Sequence, residues 1–494
     1  MSIATLHDHS SPPSSRGTGL SGTGGRAGSA GRERLRAVRP AAAPSGDQVE
    51  GSTLAGSTAG SPGALPPVVS AGLPVPTLDG AVVDYANLDH AASAPALVSV
   101  KKAVDAASRT YSSVHRGKGF ASQVTSRWYE QAREEVARFV GAREGDHVVF
   151  TRNTTDSLNL LARALPRDTT VYVFVSEHHA ALLPWNPKRT VRLPVPGSAR
   201  DAVILLESAL ASARGRHRLV VLSGASNVTG ELWPVTDLAR VARRLGARVA
   251  LDAAQLAPHR AIDVGSLGVD YVAFSGHKLY APFGAGVLAG RGDWLDGAAP
   301  YLAGGGATRT VASAGTTWQT GPARHEAGSP NVIGAIALAA ACSALAGQRQ
   351  AIEAHEQVLG ARLEEGLAAI DGVESLSIFG PGHERLPVAA FTIEGLEPGL
   401  VSAALSAEHG IGVRDGKFCA HLLVDALLDD PYAAAPASAV RVSVGLGTTE
   451  EHVERLLAAV AQLAATGPAW EYELGPEGWA PVRDERNLDL TRPW

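Results

Sequence analysis

The chain has 494 residues, 45 % of them apolar and 19 % charged; at roughly 150 residues per domain there is room for about three domains, and wholesale disorder is excluded. Forty-four Lys and Arg against 49 Asp and Glu leave a formal charge of −5, which offers no basic bias toward nucleic acid. Cys342 and Cys419 are the two cysteines, too few for a disulfide framework and consistent with a reducing compartment.

The first 60 residues hold 25 Gly, Ser or Pro, and no aromatic residue precedes Tyr85. Residues 1–75 therefore read as a disordered leader, unable to bury enough apolar surface to offset its ordering entropy. Gly17-Thr18-Gly19-Leu20-Ser21-Gly22 imitates a dinucleotide fingerprint but has no strand before it and no helix after it. The start, MSIATLHDHSSPPSS, lacks the basic and apolar parts of a signal peptide. No apolar run approaches a membrane span. A soluble, cytoplasmic protein with no membrane or nucleic-acid partner is expected.

Val124, Trp128, Ala132, Val136 and Val140 recur every four residues and predict an amphipathic helix. A strand at His147–Phe150 and a helix starting near Thr155 follow. Further apolar runs predict strands at Val171–Val175, Leu219–Leu222, Arg248–Leu251 and Val269–Phe274, with a helix at Thr236–Leu245 capped by Thr236. Strands alternating with helices imply a mostly parallel sheet covered on both faces. An Ala-rich helix at Val332–Leu345 leads to a separate region, 346–467. The tail, Pro468–Trp494, carries three Trp and is expected to pack on the surface.

In open α/β sheets, ligands sit beyond the carboxyl ends of the strands. Those ends carry Asn153-Thr154-Thr155, Ser176-Glu177-His178-His179, Ser226-Asn227, Asp252 with Gln255, and Ser275-Gly276-His277-Lys278. Pyridoxal phosphate needs such a set: a lysine for a Schiff base, a carboxylate at its ring nitrogen, and donors for its phosphate. Lys278 can be that lysine and Asp252 that carboxylate. Gln255 and Asn227 can serve the phenolic oxygen, Thr155, Ser275 and His277 the phosphate, and His178 the ring face. His179 reads as a packing or solvent histidine. Asn227-Val228-Thr229 also spells a glycosylation sequon, without a secretion signal to give it meaning.

From about residue 84 to 465 the sequence resembles the fold-type I, class V aminotransferase-like enzymes, and within them the cysteine desulfurases and selenocysteine lyases. The stretches that carry the resemblance begin with Leu88-Asp89-His90-Ala91-Ala92-Ser93, Val114-His115-Arg116-Gly117 and Thr151-Arg152-Asn153-Thr154-Thr155. Glu177-His178-His179-Ala180, Leu251-Asp252-Ala253-Ala254-Gln255 and Phe274-Ser275-Gly276-His277-Lys278-Leu279-Tyr280 follow. Gly304-Gly305-Gly306, Gly315-Thr316-Thr317-Trp318 and Glu326-Ala327-Gly328-Ser329-Pro330-Asn331 complete the set. The resemblance implies an α/β fold: a large cofactor domain at 84–345 with a mostly parallel, seven-stranded sheet, and a smaller α+β domain at 346–467. It implies a homodimer in which Thr316 or Thr317 reaches the neighbour's phosphate, and it adds Thr154 to the cofactor contacts and His115 to the substrate contacts.

Val413-Arg414-Asp415-Gly416-Lys417-Phe418-Cys419-Ala420 resembles the desulfurase loop that presents the catalytic cysteine. Val440-Arg441-Val442-Ser443 resembles the strand whose arginine forks onto the substrate carboxylate, with Arg414 as a second substrate contact. The implied reaction takes sulfur from L-cysteine onto Cys419 and releases alanine, with a sulfur-acceptor protein downstream. Selenocysteine lyase, another class V aminotransferase or carbon–sulfur lyase, and a non-catalytic cofactor-binding regulator stay open as alternatives. The loop departs from the family pattern: Phe418 stands where relatives usually carry His, and an Asp/Ala-rich insertion occupies Val424–Ser438. Cys342, in an apolar helix, reads as a buried small hydrophobe.

Overall fold

The computed structural model describes residues 64–115, 117–212, 215–428, 437–488 and 491. Short runs of branched and aromatic residues form seven strands: β1 (Asp146–Thr151), β2 (Thr169–Phe174), β3 (Thr190–Leu193), β4 (His217–Ser223), β5 (Arg248–Asp252), β6 (Tyr271–Ser275) and β7 (Gly286–Arg291). They lie in one sheet in the order β1-β7-β6-β5-β4-β2-β3. Every pairing from β6 to β3 is parallel, and only β7 runs against its neighbours. Successive side chains alternate between the faces: Val220, Leu222, Leu251 and Phe274 join one core, while Leu219, Val221, Ala250 and Ala273 join the other. Both faces are buried, which is why these strands read as unbroken apolar runs.

A smaller antiparallel sheet is built from β8 (Val373–Ser375), β9 (Val388–Ile393), β10 (Arg414–Gly416) and β11 (Ala439–Ser443), in the order β8-β9-β11-β10. Helices Arg349–Ala368, Pro398–His409 and Glu450–Thr466 share its core through Leu359, Val401 and Leu456. The first of them bridges the two domains, because Ile352 belongs to the large core and Leu359, Leu363 and Leu367 to the small one.

Several expectations need correction. Residues 64–75 are packed rather than part of a disordered leader: Val68 is buried, the Val98 N–H donates to Pro67 O, and Pro74–Pro76 pairs with Val82–Asp84. Residues 1–63, with the glycine-rich decoy, lie outside the described residues. The chain from Ala86 to Leu88 belongs to the small core, where Ala86–Asn87 pairs with Ile411–Gly412, so the large domain does not begin at residue 84. Thr236 caps nothing: the helix is Val235–Arg244, Pro234 holds the cap position, and no side chain bonds there.

Strands β3 and β7 were not predicted. The first is a four-residue edge strand with two exposed positions, and the second carries two glycines that imitate a loop. Gly286 in β7 is required by packing, since a Cβ there would stand 2.5 Å from Asn153 Cα. The tail forms a hairpin, Tyr472–Gly475 with Gly478–Pro481, tied by Trp479 Nε1 to Glu397 and by the Tyr472 hydroxyl to Glu408. Among the described residues no single helix is long and apolar enough to cross a membrane.

Candidate active site

At the carboxyl ends of β4, β5 and β6 a cavity of about 380 Å³ opens between the two domains. Strand β6 stops at Ser275 and the chain turns sharply through Gly276, where a Cβ would meet Ala285 O at 2.7 Å. The turn delivers His277 and Lys278 to the cavity. Burial, reinforced by the Arg441 charge, lowers the Lys278 pKa to about 8, while Asp252 pulls the other way. A lysine so placed reaches its nucleophilic neutral form near physiological pH.

Asp252 ends β5, buried, and accepts the Ala254 N–H at 2.9 Å. Desolvation raises its pKa and Lys278 opposes the rise. Among the described residues no cation contacts this carboxyl group, so a ligand bearing a protonated ring nitrogen would satisfy it. Across the cavity, helix Thr154–Ala164 starts behind Asn153, whose side chain accepts the Asp156 N–H. The Thr154 N–H donates to Ser275 Oγ at 2.8 Å, and the two hydroxyls share a hydrogen bond of 2.7 Å. Thr155 and His277 line the same corner. The positive end of the helix dipole makes such a corner favourable for an anion.

Glu177 is buried behind β4 and accepts both the N–H and the hydroxyl of Ser223. With no cation to offset desolvation, its pKa rises to about 8. The next residue, His178, faces the cavity, and its Nδ1 accepts the Ala180 N–H at 3.0 Å. Burial and then Lys278 lower its pKa to about 3, so it is a neutral imidazole with its proton on Nε2.

The small domain closes the cavity. Arg441, on β11 and 3 % exposed, donates from Nη1 to Asn227 O at 3.0 Å and from Nη2 to Asp89 Oδ1 at 2.9 Å. Its guanidinium lies over the Phe418 ring, 5.1 Å from the centroid. Arg414 approaches the other Asp89 oxygen at 3.9 Å. Cys419 is exposed at the cavity wall, and it and Phe418 hold left-handed backbones, φ 55° and 51°. Cys342 is buried, and its thiol pKa is raised by desolvation.

The cavity thus gathers Thr154, Thr155, His178, Asn227, Asp252, Gln255, Ser275, His277, Lys278, Arg414, Cys419 and Arg441. It does not gather His115 or Thr317. His115 lines a separate hollow with Glu130 and Arg309, its Nε2 2.8 Å from Glu130 Oε1. Thr317 sits on an exposed hairpin, Thr308–Ala312 with Gly315–Trp318. Asp89, Glu177 and Ser223 were given no role from the sequence. Asp89 follows a short strand in a stretch quoted only as a motif, and nothing local marks it as the partner of a residue 352 positions away.

Residues 86–456 match the family model described as "Aminotransferase class-V". The chain is 35 % identical over 374 residues to a probable cysteine desulfurase of Vibrio cholerae, covering 72 % of this chain and 89 % of that one. It is 36 % identical over 361 residues to probable cysteine desulfurase 2 of Mycobacterium leprae, covering 70 % and 84 %. Among solved structures, the apo cysteine desulfurase of Thermococcus onnurineus superposes with a TM-score of 0.69 at 32 % identity, over 77 % of this chain and 95 % of that one. An Escherichia coli cysteine desulfurase in its S-sulfonic acid form gives 0.66 at 33 %, over 76 % and 94 %. With its fold, its strand-end site and these relatives in agreement, the chain belongs to the class V aminotransferase family.

Proposed function

We propose that the protein is a pyridoxal-phosphate-dependent cysteine desulfurase. The observation that carries the reading is the shared cavity of Cys419 with Lys278, Asp252 and Arg441, a nucleophilic thiol beside a cofactor-type lysine and a carboxylate-binding arginine. Lys278 would hold the cofactor's aldehyde carbon, Asp252 its ring nitrogen, and the Thr154–Thr155 helix start with Ser275 and His277 its phosphate. His178 would contact the ring, and Gln255 and Asn227 the phenolic oxygen. When bound, the cofactor supplies an electron sink that labilises the bonds at the substrate's Cα and Cβ.

The chain's own residues do the rest. Arg441, aided by Arg414, binds the α-carboxylate of L-cysteine. Lys278, with its lowered pKa, moves protons at the substrate's Cα. Cys419 Sγ takes the sulfur: the Cβ–S bond breaks, an S–S bond forms on Cys419, and a proton replaces sulfur on Cβ, so that alanine leaves. The persulfide then passes to an acceptor thiol, for which the exposure of Cys419 leaves room.

The working unit is a homodimer in a reducing, cytoplasmic compartment. Thr317 and His115 stand away from their own Lys278 cavity, and a second copy is what would give Thr317 its phosphate role and His115 its substrate role. The decisive experiment incubates the purified protein with cysteine and measures alanine together with the mass of the Cys419 peptide. Stoichiometric alanine and a peptide heavier by one sulfur support the reading; pyruvate or a keto acid without persulfide would transfer the protein to a lyase or aminotransferase activity.

A further inference from the structure

Asn227 is buried at the cavity edge and serves two neighbours at once. Its Nδ2 donates to Phe418 O at 2.7 Å, and its main-chain oxygen accepts from Arg441 Nη1 at 3.0 Å. The Phe418 ring lies beneath the same guanidinium. Phe418 and Cys419 are two adjacent non-glycine residues at positive φ, a conformation that persists only where surrounding contacts over-determine it. The contacts are visible: Asn227 holds the first carbonyl, and the His179 N–H holds the second at 2.8 Å.

The support beneath Asn227 is rigid. Ser226 Oγ accepts the N–H groups of Val228 and Thr229. Buried Glu231 accepts from the Thr229 and Ser377 hydroxyls and from the N–H groups of Ile378 and Phe379. Gly230 lies at φ 73° with Val388 O only 2.6 Å from where a Cβ would stand. The loop after β4 is thereby bolted to the small domain, and Asn227 is its fixed end.

We propose that Asn227 is a positioning residue that keys the Cys419 loop to Arg441, setting the thiol at a defined place relative to the site of the substrate carboxylate. This deepens the desulfurase reading and rests on it for the meaning of the thiol. Because Arg441 is held by the main-chain oxygen, replacing the side chain frees the loop and spares the arginine.

The test compares holoenzyme of the wild type with Asn227→Ala and the near-isosteric Asn227→Asp, which keeps the shape but removes the donor and keeps the experiment decisive if the alanine variant does not fold. Hydrogen exchange is followed on the peptides that hold His179 and residues 417–424. Exchange in both should quicken by about five- to tenfold in apoprotein as well as holoenzyme, the loss expected for one neutral hydrogen bond, which separates the loop contact from the one placed at the cofactor's phenolic oxygen. The kcat for alanine release falls by at least a similar factor, and KM for cysteine stays within about twofold. Exchange rates equal to wild type in the folded variants would overturn the proposal. A wild type that makes no alanine from cysteine would remove the desulfurase reading instead, and the exchange result would still decide the role of Asn227.

Discussion

Arg441 and Asp89 stand 352 residues apart in the chain and 2.9 Å apart in the structure. Buried on β11, Arg441 finds in Asp89 the anion it needs in the absence of substrate, and Arg414 waits beside the same carboxylate. On the proposed reading, the ion pair holds the guanidinium where a substrate carboxylate would meet its remaining N–H groups. Arg441→Ala should therefore raise KM for cysteine by about 10- to 100-fold, the equivalent of roughly 1.5–3 kcal/mol for a charge-assisted contact. Arg441→Lys should not restore it, because an ammonium group lacks the planar fork that serves Asn227 O, Asp89 and a ligand together. Steady-state kinetics on both variants would check this, and an unchanged KM would place the carboxylate elsewhere.

Lys278→Ala should abolish the visible absorbance of cofactor-loaded protein and all turnover. If Lys278 is the cofactor lysine as proposed, uptake of pyridoxal phosphate by wild-type apoprotein should depend on its neutral amine. With a pKa lowered to about 8, the uptake rate should climb about tenfold per pH unit below that value and level off above it. Stopped-flow absorbance between pH 6 and pH 9.5 reads the profile; a plateau reached only near the ordinary lysine value would contradict it.

Cys419→Ala should fold, bind cofactor and bind cysteine, since Lys278, Asp252 and Arg441 are untouched. Alanine formation from cysteine should fall to background and the persulfide peptide should disappear. Selenocysteine is unsuited to this assay, because selenium can leave without a cysteine nucleophile. Undiminished alanine would show that Cys419 is an ordinary loop thiol.

Two buried groups should tilt stability against pH in opposite senses. His90 is buried, and desolvation lowers its pKa to about 4. Its contribution is present above pH 6.5 and is lost as pH falls toward 4, by up to about 3 kcal/mol. Glu177, raised to about 8, favours the fold fully below its unfolded pKa and loses that contribution as pH rises toward 8. Between pH 5 and pH 7.5 Glu177→Gln should therefore steepen the rise of Tm with pH, and His90→Asn should flatten or invert it. Identical slopes in all three proteins would refute both assignments.

Removing residues 64–75 takes away the buried Val68, the Pro67–Val98 hydrogen bond and the strand Pro74–Pro76. A protein starting at residue 76 should unfold at lower temperature, by the roughly 2 kcal/mol that one buried aliphatic side chain contributes. One starting at residue 64 retains all three contacts and should unfold at the higher temperature of the two. Calorimetry on the two truncations separates these outcomes.

The strand ends and their polar residues were legible in the sequence because their signals are local. An apolar run buried on both faces of a parallel sheet announces itself within a few residues, and the groups just after it must lie at the carboxyl edge. Asp252, Ser275 and Lys278 were placed together in this way, the family resemblance added Cys419 and Arg441, and all five line one cavity. Gly286–Arg291 escaped because its glycines answer to neighbouring segments: Asn153 packs against Gly286, and Asp270 and Tyr271 against Gly290. The leader's limit was misplaced because Val68 is buried by packing, as its bridge to Leu97 on another segment shows. Asp89 beneath Arg441, Asn227 against Phe418, and His115 outside the cavity are facts of tertiary structure alone. Composition and periodicity act over one element, whereas the order of strands and the closure of the small domain decide which distant residues meet.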